Sequence, residues 1–174
     1  KELLQIAIQC DEDLDIRAAI LTGSGAKAFC AGGDLISFNE KGDEMPAHLK
    51  EVTVYLHAAI TRFSRMSAPL IAAINGVAAG AGISLAAFPD LALASEGARF
   101  VSAYTAAGLT PDGSSTYFLP RLIGTRRYME LALMNRNLSA EEAKEWGIVN
   151  DVVASDKLMS TAREWANKMA SGPT

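Results

Sequence analysis

The chain has few of the residues that build metal centres and disulfide frameworks. Its 174 residues include two cysteines, Cys10 and Cys30, and two histidines, His48 and His57. The cysteines form no CxxC pair and no framework of bridges, which favours a reducing compartment. The histidines stand nine positions apart in a helical pattern, so one helix does not present them on one face. No zinc site is expected, and both are read as solvated or partly buried helix residues. Positive charge is also in short supply. Sixteen Lys+Arg against twenty Asp+Glu leave a net charge of −4. A broad nucleic-acid surface needs an excess of basic side chains to neutralise phosphates, so the charge argues against that class. Only local basic spots such as Arg121, Arg126 and Arg127 remain.

Targeting signals are missing as well. The chain begins KELLQIAIQC, already in helical pattern, without an initiator Met or a signal-peptide layout, and NKMASGPT follows a helical run at the other end. The chain is therefore read as a fragment, and the absence of targeting segments carries no weight. No membrane protein is expected either. Residues 69–94, PLIAAINGVAAGAGISLAAFPDLALA, are long and apolar enough to resemble a span. Asn75-Gly76 is a turn signal, however, Gly80 and Gly82 weaken a continuous helix, and Pro89-Asp90 breaks its far end. A buried strand, a tight turn and a buried helix fit better.

What is present is an ordinary globular composition, 49% apolar and 21% charged, in a chain long enough for one sizeable core. Helical spacing is expected over 2–10 and from Pro46 to Met66, where Leu49, Val52, Leu56, Ala59, Ile60 and Phe63 form a stripe. Buried strands are expected at 16–24 and 68–76, each running into a loop of Gly and Ala. A short helical turn follows at LISFNE, a helix at 81–88, and a strand-turn-strand at LALASEGARFVS. Helices are then expected at 112–123, bent or ended by Pro120, and at TRRYMELALMN. In NLSAEEAKEWG, Ser139 and Glu142 are spaced as a capping box and Gly147 as a stop. A short strand, IVNDVV, and a helix at 156–170 close the chain. Strands alternate with helices and are apolar on both sides, which indicates an α/β domain with covered, partly parallel sheets. With no linker, low-complexity segment or repeat, residues 1–174 form one domain.

Two features point to chemistry. The loops AFCAGGDL (28–35) and NGVAAGAGISL (75–85) let a ligand approach the backbone closely. Their amides, at the start of helices, could converge as an oxyanion hole. A phosphate loop is not indicated, since no Gly-Lys-Ser/Thr and no full GxGxxG occurs. The second feature is Asp112, a lone carboxylate between a proline and a glycine in AGLTPDGSSTYFLP. It reads either as the N-cap of a helix beginning near Gly113, with Ser114 and Ser115 in the first turn, or as a catalytic acid/base, which an apolar setting would strengthen.

Four blocks in order, RAAILTGSGAKAFCAGGDL, APLIAAINGVAAGAGISLAAFPDLALASEGARF, GLTPDGSSTYFLPRLIG and LSAEEAKEWGIVNDVV, resemble the crotonase family, the enoyl-CoA hydratase/isomerase superfamily. The resemblance implies a crotonase-like superhelix of stacked ββα turns with covering helices. It also implies an acyl-CoA thioester substrate, with coenzyme A arriving as part of it and no separate cofactor or metal. By motif position, the oxyanion donors fall on the N–H groups of Gly33 and Ala81. Ala31, Asp34 and Leu35 fall along the adenine and pantetheine path. Family members form trimers, often paired into hexamers, and carry N-terminal strands and C-terminal helices that this chain lacks. A homotrimer or hexamer in the cytoplasm, without nucleic-acid or membrane partners, is the corresponding expectation.

Typical hydratases of the family use two glutamates, and the matching positions here are Ser84 and Tyr104. Hydration needs one group to activate water and one to protonate carbon, so the missing pair disfavours a hydratase. Some isomerases of the family place a single carboxylate in a turn matching Pro111-Asp112-Gly113. The expected activity is therefore conversion of a 3-enoyl-CoA to a 2-enoyl-CoA, with Asp112 shuttling the proton. Hydration, ring-opening isomerisation and dehalogenation are rivals on the same fold, and a non-catalytic acyl-CoA-binding protein is a rival of another class. Phe38, Tyr104, Leu109 and Tyr117 are candidates to line the acyl pocket, with core packing the alternative for the two tyrosines. Ser84 is read as a helix residue bonding a backbone carbonyl.

Overall fold

A computed structural model describes residues 1–172. The first helix, α1 (Glu2–Glu12), lays Leu3, Leu4, Ala7 and Cys10 on one side. That side packs against α3 (Met45–Phe63) through Ala59, Ile60 and Phe63. Pro46 sits in the first turn of α3, where its missing N–H costs nothing. Between them run β1 (Ala19–Thr22), β2 (Ala28–Cys30) and the six-residue α2 (Leu35–Glu40).

The remaining chain repeats a strand, strand, helix order. It comprises β3 (Leu70–Ile74), β4 (Val77–Ala79), α4 (Ala81–Ala87), β5 (Leu91–Ser95), β6 (Arg99–Val101) and α5 (Ser115–Met134). It then closes with β7 (Leu138–Ser139), α6 (Ala140–Trp146), β8 (Asp151–Val153) and α7 (Leu158–Ala170). One sheet is parallel throughout, in the order β1-β3-β5-β8, with Ile71 opposite both Ile20 and Leu91. The other has the order β2-β4-β6-β7, parallel except where β7 runs against β6. Each ββ unit gives one strand to each sheet, so successive units stack as an α/β superhelix. Every residue of β3 is buried, as a strand covered on both faces must be. The main core fills the space between the sheets and α4–α6, around Phe100, Ile83, Leu119 and Leu131.

The apolar stretch 69–94 is thus three strands and a seven-residue helix, and no described helix is long and apolar enough to cross a membrane. Cys10 and Cys30 are both free. Ser139 caps α6 as its sequence requires. Its hydroxyl accepts the Glu142 N–H at 3.2 Å, and the Glu142 carboxylate accepts the Ser139 N–H at 2.9 Å. Gly147 then ends the helix in the left-handed region.

Two expectations need correction. The helix expected at 112–123 begins only at Ser115, and Pro120 lies inside it without ending it. The break falls instead at Gly124, whose φ of 78° and ψ of 153° separate two helical stretches. Pro120 leaves a single carbonyl one turn earlier without its helical donor, whereas only glycine adopts the bend angle at 124 without penalty. The glycine-rich segments are also not pure loop, because β2 and β4 lie inside them and pair with each other.

Candidate active site

The two glycine loops meet. Gly32 has a φ of 96°, and a Cβ there would stand 2.9 Å from the Ala79 carbonyl oxygen. Gly80, at φ 53°, would place a Cβ 3.7 Å from the Gly32 Cα. A side chain at Gly32 would press on the facing loop, and the left-handed φ of both residues favours glycine, so the backbones leading to Gly33 and Ala81 can approach each other. Ala81 is the first residue of α4, a position whose N–H has no intrahelical acceptor. Among the described residues, no backbone carbonyl accepts the N–H of Gly33 or of Ala81.

Both residues line one cavity of about 140 Å³, partly open to solvent, and Asp112 lines it too. Ala31, Leu35, Phe38, Tyr104 and Leu109, named from the sequence, belong to the same wall. The Phe38 ring lies where a Cβ on Gly33 would go, 2.6 Å from that point, so it covers the first glycine loop. Two candidates stand elsewhere. Asp34 turns its carboxylate to the backbone N–H groups of Ile36 and Ser37, both at 3.1 Å, and caps α2. Tyr117 is 52% exposed on α5, with the Arg121 guanidinium stacked 3.6 Å from its ring centre. Neither lines the cavity, because each has a partner on its own helix.

Asp112 is half-buried in the turn before α5, and its side chain is not a helix cap. The N-cap of α5 is Ser114, which makes no side-chain cap bond. The Asp112 carboxylate receives the Tyr104 phenol at 2.6 Å through Oδ1. Its backbone carbonyl accepts the hydroxyls of Ser84 at 3.0 Å and Ser115 at 2.8 Å. Ser84 and Tyr104 are themselves 3.0 Å apart, oxygen to oxygen. Ser84 thus bonds a backbone carbonyl, as expected, but that carbonyl belongs to Asp112. Burial, and next the bond to Asp112, push the Tyr104 phenol far above its ordinary pKa. Tyr104 is therefore a fixed neutral donor, and one carboxylate oxygen of Asp112 remains for the cavity.

The backbone on either side of this pair is strained. Ala103, just before Tyr104, and Ser114, two residues after Asp112, have φ of 58° and 61°. For residues with a Cβ this conformation costs about 1–2 kcal/mol each, and such strain gathers at functional sites.

Sequence reasoning missed part of this site. The apolar stripe of α3 gives Leu49, Val52 and Leu56 to the cavity wall, where only core packing was read from its spacing. His57, taken as an ordinary helix histidine, accepts the Gly113 N–H through Nε2 at 3.1 Å. Nothing in the local sequence links positions 57 and 113. The bond exists only because α3 packs across the turn that carries Asp112.

Comparison with known proteins agrees with this architecture. The model of the enoyl-CoA hydratase/isomerase family matches residues 1–174. The chain is 40% identical to 1,2-epoxyphenylacetyl-CoA isomerase from Escherichia coli strain K12, over 99% of this chain and 66% of that protein. It is 38% identical to 4-chlorobenzoyl coenzyme A dehalogenase-1 from Arthrobacter sp, over 99% of this chain and 63% of the relative. Among solved structures, an enoyl-CoA hydratase from Bacillus anthracis superposes with a TM-score of 0.91 at 38% identity, covering 98% of this chain and 65% of that one. The chain thus spans a little under two thirds of the length of these proteins. A match along its whole length, the stacked ββ units, and two glycine loops meeting at one cavity place the chain in the enoyl-CoA hydratase/isomerase family.

Proposed function

We propose that the protein converts a 3-enoyl-CoA thioester to its 2-enoyl isomer, with Asp112 as the only acid/base. The thioester oxygen lies between the amides of Gly33 and Ala81. The Asp112 carboxylate removes a proton from C2, and the electron pair spreads into a dienolate whose charge rests on that oxygen. The protonated Asp112 then delivers the same proton to C4. The bond between C2 and C3 becomes double, and nothing is gained or lost. A donor pair of this kind is worth roughly 2.7–4 kcal/mol of barrier per amide. No cofactor is needed beyond the coenzyme A of the substrate.

The observation that carries this reading is the position of Asp112. A single carboxylate lines the cavity that Gly33 and Ala81 line, and Tyr104 holds one of its oxygens. The two positions at which family hydratases carry glutamates hold Ser84 and Tyr104, and here both bond to Asp112. A second carboxylate for water activation is therefore not among the described cavity residues.

The names of the relatives favour a second reading on the same fold, with another reaction outcome at the same thioester site. One is an epoxyphenylacetyl-CoA isomerase and another a chlorobenzoyl coenzyme A dehalogenase. In this reading the acyl group carries a ring. Assembly as a homotrimer or paired trimers, in the cytoplasm, belongs to the same proposal, and sedimentation of the full-length protein tests the assembly.

Incubation with a 3-enoyl-CoA tests the reaction. Absorbance of the conjugated thioester should rise with the wild type and stay flat with Asp112→Asn, while acyl-CoA still binds. Consumption of a 2-enoyl-CoA by hydration would overturn the isomerase reading. So would acyl-CoA binding without deuterium exchange at C2. Turnover of an arylacetyl-CoA epoxide in preference to a linear enoyl chain would select the second reading.

A further inference from the structure

We propose that His57 is a positioning residue that fixes the Asp112–Gly113 peptide, and through it the Asp112 carboxylate. The inference rests on the role given to Asp112 above.

The peptide unit between Asp112 and Gly113 has two polar ends. Its carbonyl is held by the hydroxyls of Ser84 and Ser115. Its N–H donates to Nε2 of His57, 3.1 Å away. A peptide held at both ends cannot rotate about its flanking bonds, and rotation there is what would swing the Asp112 side chain. The local backbone needs such a restraint. Gly113 and Ser114 have φ of 57° and 61°, two left-handed residues in succession, and only the first is glycine. A Cβ on Gly113 would stand 2.7 Å from Cβ of Ser84. The turn is thus pressed onto α4 on one side and tied to α3 on the other.

His57 is itself exposed, so packing does not account for its placement. Its ring nitrogen serves as an acceptor, which requires the neutral ring with its proton on Nδ1. Gly113 is buried, and no other acceptor for its N–H is present among the described residues. A second cavity, beside the first, is lined by His57, Lys50, Thr53, Thr110 and Asp112. Asp112 therefore sits between two cavities, and His57 stands at the outer one.

The test compares His57→Leu, His57→Asn and His57→Gln with the wild type in the full-length protein. Leu has no acceptor, the Asn amide is too short to reach, and the Gln amide oxygen can take the place of Nε2. For Leu and Asn the expected result is a fall in kcat of about 10- to 100-fold, the cost of a misplaced catalytic group, with KM within about twofold. Gln should recover most of the loss. Amide hydrogen exchange of Gly113, followed by NMR, reads the same bond without reference to activity. It should speed up about tenfold or more in Leu and Asn, and not in Gln, as a local opening would. Unchanged Gly113 exchange in both Leu and Asn overturns the inference whether or not the protein turns over substrate. So does a Gln variant as impaired as Leu. A wild type that exchanges no C2 proton defeats the proposed reaction instead, and the Gly113 measurement still decides the role of His57. Should Leu fail to fold, the Asn and Gln pair carries the comparison.

Discussion

The phenol of Tyr104 donates to Oδ1 of Asp112 across 2.6 Å, and the two residues stand eight positions apart in the chain. The bond gives the carboxylate a defined front and back. One oxygen is occupied by a donor that does not ionise in the working range, and no hydrogen bond among the described residues occupies the other. Removing the donor in Tyr104→Phe should lower kcat about 10- to 100-fold, because a hydrogen bond to a charged group is worth about 1.5–3 kcal/mol. KM should move little, since Tyr104 holds the base and not the thioester. Steady-state kinetics on a 3-enoyl-CoA check this. A Tyr104→Phe variant with wild-type kcat would remove the phenol from the account.

The raised pKa of Tyr104 also has a consequence at high pH. In the unfolded chain a tyrosine ionises near its ordinary value of about 10, whereas the folded protein keeps the Tyr104 proton beyond that point. Above about pH 10 the folded state thus holds more protons than the unfolded state, and stability falls as pH rises. The contribution is whole below the unfolded value and is lost as pH climbs toward the folded one. Urea unfolding at pH 8, 9.5, 10.5 and 11 should show a steeper alkaline loss for the wild type than for Tyr104→Phe. Tyr128, whose burial also raises its pKa, is present in both and cancels in the difference. Parallel alkaline curves would contradict the assignment.

Much of this site was legible in the chain because its signals are local. A run such as LIAAI bounded by turn signals reads as a covered strand, Ser139 with Glu142 reads as a helix start, and Pro-Asp-Gly marks a turn with a carboxylate on it. Other parts were not legible, for a physical reason. The strands β2 and β4 are three residues each, too short to show a period, and only their mutual pairing makes them strands. Asp112 could equally have capped α5. What decides against it is the left-handed Ser114, which shifts the helix start to Ser115. The partnerships of Tyr104 and His57 with the Asp112 turn depend on how α3 and the segment after β6 pack around it, and spacing along the chain does not encode that packing.

Gly82 offers a stability test far from the acid. A Cβ at this position would collide with the carbonyl oxygen of Cys30, where α4 lies against β2. Backbone does not yield as a side-chain tip does, so Gly82→Ala should cost about 3 kcal/mol, at the upper end of ordinary overpacking. Gly97 has nothing within 4 Å of its would-be Cβ, and Gly97→Ala should stay within about 0.5 kcal/mol of the wild type. Denaturant unfolding of both variants makes the comparison. Equal stabilities would mean that α4 does not rest on β2 this closely.

The cleanest probe of the oxyanion hole is Ala81→Pro. Ala81 is the first residue of α4, and proline is well accepted there because the N–H it lacks has no helical partner. The preceding Gly80, at φ 53° and ψ −122°, occupies the mirror image of the extended region that a residue before proline prefers. The substitution should therefore leave folding nearly intact while deleting one of the two proposed donors. If that amide stabilises the dienolate, kcat should fall about 10²–10³-fold, and C2 deuterium exchange should fall with it. Asp112→Asn combined with Ala81→Pro should then be hardly worse than Asp112→Asn alone, since without the base no dienolate forms for the amide to stabilise. Full activity in a folded Ala81→Pro protein would show that the thioester oxygen is held elsewhere, and with it would go the reason for placing the reacting carbon beside Asp112.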